Sequence, residues 1–95
     1  MRELERDVQR ANRADQLLSD ELIKQAFIDI RRIYFEKISK LKWDEIEERL
    51  DACNMIRAIE DFEAVFRRHI NTGKAAEQKL TAMQKAKRIL RVAES

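Results

Sequence analysis

Apolar residues recur along this chain at spacings of three and four, the period of a helix buried on one side. From Asp20 to about Lys40, the positions Ile23, Phe27, Ile30, Tyr34, Ile38 and the following Leu41 form one such stripe. Leu22, Ala26 and Ile33 widen it, and Ile28 and Phe35 extend it onto a second face. A helix this apolar cannot be covered by one neighbouring helix; it calls for two partners or a second copy of the chain. From Asp44 to Asn71 a second stripe runs through Ile46, Leu50, Cys53, Ile56, Ile59, Phe62, Phe66 and Ile70, with Met55 and Val65 on its flanks. The stripe before Asp20 is thin: Leu4, Val8, Ala11 and Leu18, with Ala14 beside them. Short isolated helices are marginal in water, so this segment should depend on a partner. After Gly73, a narrow face is marked by Ala76, Leu80, Met83, Ala86 and Leu90.

The punctuation between stripes is sparse. The chain has no proline and one glycine in 95 residues. Turns usually need these residues, so few connections and long helices are expected. Ser19 fits the N-cap of the second helix, with Asp20 and Glu21 near its positive end; a continuous helix through this point is the alternative. Asp44 fits the cap of the third helix, with Glu47 at the capping-box position. Trp43 precedes that cap. It reads either as an anchor folded onto the hairpin end or as a partner-binding residue, a role in which tryptophan is enriched. Asn71-Thr72-Gly73 is the clearest break, and Gly73 suits the left-handed position just past a helix end.

These patterns predict an all-α protein of one domain over residues 1–95. An N-terminal helix (1–19) and a basic C-terminal helix (74–93) flank an antiparallel hairpin of about 20–41 and 44–71. Phe27, Tyr34, Phe62 and Phe66 are the expected core. The excess of apolar surface predicts a homo-oligomer held through Ile23, Phe27, Ile28, Ile30, Tyr34, Phe35, Phe62 and Phe66. Residues 1–20 contain no apolar run, so no signal peptide is expected. No stretch approaches the roughly 20 apolar residues of a membrane span. A cytoplasmic protein without membrane contact follows as the expectation, with association to a particle left open.

Charge divides the chain further. The net formal charge is +2, but by segment it is −1 over residues 1–20, +3 over 21–42, −4 over 43–72 and +4 over 73–95. The hairpin therefore pairs a basic helix with an acidic one. Exposed ion pairs contribute only about 0–1 kcal/mol each, so this tunes orientation more than stability. Lys79, Lys85, Lys87, Arg88 and Arg91 make the last segment a basic amphipathic helix. It suits an acidic protein surface or nucleic-acid phosphates. Its apolar face lacks the Trp and Phe of lipid-binding helices. The acidic third segment would repel a duplex laid along it.

Catalytic constellations are missing from the sequence. His69 is the only histidine and Cys53 the only cysteine, so no triad, zinc site or disulfide can be assembled from them. Cys53 reads as a small buried apolar residue, and His69 as a residue near a helix C-terminus, favoured there with Arg67 and Arg68 by the dipole. Thr72-Gly73-Lys74 lacks the strand and loop of a phosphate-binding motif. The residue three before His69 is Phe66, so no Glu-x-x-His metal motif occurs. No enzymatic role, cofactor, metal or small-molecule substrate is expected.

The strings Arg13-Ala14-Asp15-Gln16-Leu17-Leu18, Ile23-Lys24-Gln25-Ala26-Phe27 and Thr72-Gly73-Lys74-Ala75-Ala76 resemble small helical proteins encoded among the virion-assembly and DNA-packaging genes of tailed bacteriophages. The resemblance covers about residues 10–80. It implies a setting, virion morphogenesis in a host cytoplasm, and brings no activity or binding residues. Three roles fit it. The first is a structural assembly protein that self-associates through the hairpin and docks a partner with its basic C-terminal helix. The second is a DNA-binding packaging subunit resembling a small terminase, although no helix-turn-helix signature is evident. The third is a regulatory binder of a host protein.

Overall fold

The computed structural model describes residues 2–94. They form three helices, α1 (Arg2–Ser19), α2 (Glu21–Lys40) and α3 (Ile46–Glu94), and no strand. The protein is all-α. The described residues divide into two compact units. One holds Leu17–Val65; the other combines the chain up to Gln16 with the chain from Phe66 onward. Helix α3 contributes residues to both.

In the Leu17–Val65 unit, α2 and the first part of α3 form the expected hairpin. The start of α2 is fixed by Asp20, whose carboxylate accepts the backbone N–H groups of Leu22 and Ile23 at 2.8 and 3.1 Å. These are two of the donors a helix N-terminus leaves without partners. Ser19, expected as the cap, is instead the last residue of α1. The connection after α2 is a tight turn in which the N–H of Glu45 donates to the Lys42 carbonyl at 3.1 Å. The Glu45 carboxylate accepts the Lys42 N–H at 3.1 Å, and the Arg49 guanidinium donates to the Lys42 carbonyl at 3.1 Å. Asp44 is spent in this turn, so α3 begins at Ile46 rather than being capped by Asp44.

The two helices meet along a seam whose positions recur at spacings of three and four, the period of a helix buried on one side. On α2 the half-buried positions include Ile23, Phe27, Ile30, Tyr34 and Ile38. On the other side they are Glu45, just before α3, and Arg49, Ala52, Ile56, Ile59 and Glu63 on it, with Ala52 and Ile56 fully buried. The rings of Phe27 and Phe62 lie 6.3 Å apart and tilted by 44°. The Arg31 guanidinium, 5.9 Å from the centre of the Phe27 ring, bridges to the Glu63 carboxylate across the hairpin. This ion pair realises the basic-to-acidic pairing read from segment charge.

The second unit packs α1 against the later part of α3, and its seam is built from small residues. Ala11, Ala14, Gly73 and Ala76 are all buried, Ala76 to 2% exposure. Here the expected break at Asn71-Thr72-Gly73 is corrected, because α3 continues as one 49-residue helix. Gly73 has no positive φ. Its missing side chain serves contact: a Cβ built there would overlap the Ala11 Cβ and meet the Asp7 carbonyl oxygen at 3.0 Å. Glycine mid-helix costs about 1 kcal/mol relative to alanine; the close approach of α1 offsets it. Ala11 and Ala14, read as adding little to a thin stripe, are the buried contacts of α1.

Candidate protein-protein interface

The expected aromatic core is not what the molecule buries. Among the described residues, the fully buried apolar side chains are Ala11, Ala14, Ala52, Ile56 and Ala76, and no large side chain is completely enclosed. Phe27, Tyr34 and Phe66 are half-buried and Phe62 is exposed. Two helices in contact can each cover one stripe only, and α2 presents more than one.

The exposed apolar residues of the Leu17–Val65 unit fall on two sides of the hairpin. On the first side, Leu22, Ala26 and Ile33 of α2 are separated by four and seven residues and so share a face. Met55, Ala58, Phe62 and Val65 of α3, separated by three, four and three, do likewise. Between them lies an apolar groove whose walls are Ile23, Ala26, Phe27 and Ile30 from α2 and Ala58, Ile59 and Phe62 from α3. Leu22, at its edge, is 78% exposed. On α2, Ile28 and Phe35 are seven residues apart on the opposite flank and are also exposed. Of the residues expected to hold an oligomer, Ile23, Phe27, Ile30, Tyr34 and Phe66 are half-buried, Phe62 lies at the groove, and Ile28 and Phe35 lie on the flank opposite Leu22 and Ile33.

The hairpin connection adds a third exposed group. Trp43 does not fold onto the hairpin end; it is 86% exposed. Ile46 and Leu50 are exposed, and so is Cys53, which the sequence read as buried. Cys53 follows Ile46 by seven residues and sits on the outward flank rather than on the seam of Ala52 and Ile56. Sequence periodicity missed this because Ile46, Leu50 and Cys53 carry the same spacing as a core stripe.

Beyond Leu80, every residue of α3 from 81 to 93 is exposed. Lys85, Lys87, Arg88 and Arg91 all lie in this stretch, and Lys79, just before it, is exposed as well. Arg67, Arg68 and His69 do not mark a helix end, since α3 runs on past them; His69 is half-buried in the helix interior. Among the described residues, no three His, Cys, Asp or Glu side chains gather into a cluster able to hold a metal ion. No helix among them is long and apolar enough to cross a membrane. Comparison with protein families, with characterised proteins and with solved structures finds no match.

Proposed function

We propose that this chain is a structural assembly protein that works as a homo-oligomer, pairing copies through the apolar face of its α2–α3 hairpin. The observation that carries this is the exposed apolar face of the Leu17–Val65 unit: Leu22, Ile33, Met55 and Val65 are exposed beside an apolar groove lined by both helices. The groove between Ala26 and Phe62, bordered by Leu22, Ile33, Met55 and Val65, is the natural centre of that contact. A second hairpin laid on it would turn a two-helix seam into a four-helix core, with the covered stripes α2 needs. The resemblance to tailed-phage assembly proteins supplies a setting, virion morphogenesis, in which many copies of a small helical chain act together.

Sedimentation across micromolar concentrations tests the reading. The wild-type chain should form a dimer or larger species. Leu22→Glu combined with Met55→Glu should return it to a helical monomer, because both side chains are exposed in the single chain and their loss leaves its seam intact. A wild-type chain that sediments as a folded monomer throughout overturns the proposal.

A further inference from the structure

Beyond the hairpin face, two further exposed patches have opposite charge. The first is the hairpin tip. Trp43, Ile46 and Leu50 are exposed there, with Ile46 and Leu50 one helical turn apart. Around them Asp44, Glu47, Glu48 and Asp51 are exposed too. Residues 43–54 carry a net charge of −4. The one cation among them, Arg49, is turned back onto the Lys42 carbonyl.

The second patch is the end of α3. Met83, Ala86, Leu90 and Ala93 are spaced by three, four and three and form one stripe, with Ile89 beside it. Ile89 is 69% exposed and Leu90 is exposed with it. Lys85 and Lys87 flank the stripe and Arg88 and Arg91 lie further round. Residues 81–93 carry a net charge of +4 and no acidic group. The tail stripe runs for about three helical turns, and the tip presents Ile46 and Leu50 over one turn with Trp43 in the connection before them.

We infer that the basic end of α3 of one copy docks on the acidic, apolar tip of the next copy, so that copies link head to tail as well as through their hairpin faces. Like patches cannot pair with themselves: two tails bring four cations against four, and two tips bring acids against acids. Tip against tail buries Trp43, Ile46 and Leu50 under Leu90 and Ile89 while the surrounding charges complement one another. Charge complementarity of this kind selects partner and register. A contact between two different patches is heterologous and continues from copy to copy, closing into a ring or growing openly. The inference rests on the assembly reading above and adds a second, salt-sensitive interface to it.

Charge exchange tests it on the full chain by light scattering. A tail-reversed chain carries Lys85→Glu, Lys87→Glu, Arg88→Glu and Arg91→Glu. A tip-reversed chain carries Asp44→Lys, Glu47→Lys, Glu48→Lys and Asp51→Lys. Circular dichroism first confirms that each remains helical. Wild type should grow beyond the species held by the hairpin face, and should lose that growth between roughly 0.05 and 0.5 M salt as charges are screened. Each reversed chain alone should stop at the hairpin-face species, while an equimolar mixture should regain growth, because every tip–tail contact between the two is again attractive. Growth by either reversed chain alone, or no recovery in the mixture, overturns the inference. So does a wild type that forms only the species abolished by Leu22→Glu and Met55→Glu, an outcome that leaves the hairpin-face reading standing. A short DNA duplex is added as a separate arm. If wild type binds it, the tail-reversed chain does not, and the mixture fails to grow, the tail is a nucleic-acid surface and the head-to-tail contact is refuted.

Discussion

Replacing Gly73 with alanine should destabilise this protein, although the same change in a solvated helix would stabilise it by about 1 kcal/mol. The sign depends on what stands opposite. The added methyl would overlap the Ala11 Cβ, lie 3.0 Å from the Asp7 carbonyl oxygen and 3.5 Å from the Ala11 Cα. Two of these three atoms are backbone and cannot swing aside, so α1 must move away from α3 locally. Overpacking of this kind costs about 1–3 kcal/mol. Separation also thins the contacts of Ala14 and Ala76, which have no longer side chains to fill the gap. Set against the propensity gain, a net loss of about 1–2 kcal/mol follows, or a fall in Tm of roughly 5–15 °C for a domain this size. Thermal unfolding followed by circular dichroism, at one fixed protein concentration, reads it directly. Adding Ala11→Gly to Gly73→Ala removes the worst overlap and should recover part of the loss, giving a coupling energy in the double-mutant cycle. A rise in Tm for Gly73→Ala alone would refute the reasoning, because it is the response of a glycine that faces water.

Two other substitutions separate folding from association. Asp20→Ala removes the acceptor for the Leu22 and Ile23 amides and should cost about 1 kcal/mol, seen as faster hydrogen exchange of those two amides and a lower Tm. Trp43→Ala should leave the unfolding free energy of a non-associating background such as Leu22→Glu with Met55→Glu within about 0.5 kcal/mol. The same change in the wild-type chain should lower the mass of the assembled species, because its ring is exposed at the tip.

The fold class was legible because α2 and the first half of α3 repeat their apolar residues with helical spacing over many turns. The hairpin connection was also legible, to within two residues. Asp44 misled by a residue or two because its backbone closes the turn that Lys42 and Glu45 tie together, a local competition that a capping pattern does not reveal. Gly73 misled further. A lone glycine after Asn and Thr reads as a helix stop because most such glycines relax the backbone, whereas this one makes room for Ala11. One signal could have found it. Ala52, Ile59, Phe66, Gly73 and Leu80 are each seven residues apart, so the glycine falls in register with a series of buried and half-buried positions. Burial itself was the least legible property. Phe62, Ile46, Leu50 and Cys53 have core-like spacing, yet a pair of helices has one seam, and the sequence does not say which of several stripes occupies it.

The seam around Gly73 also determines how this chain can change over generations. At positions 11, 14, 73 and 76 the side chain is one carbon or none, and the closeness of the helices at Gly73 leaves no room there for anything larger. The outer surface of α1, by contrast, is a run of arginines, acids and amides whose identities no packing constrains. Descendants of this sequence would therefore drift almost freely where the residues are large and charged, and keep four small ones. A distant relative would be recognised by the spacing of those small residues, and not by any conspicuous aromatic or charged motif.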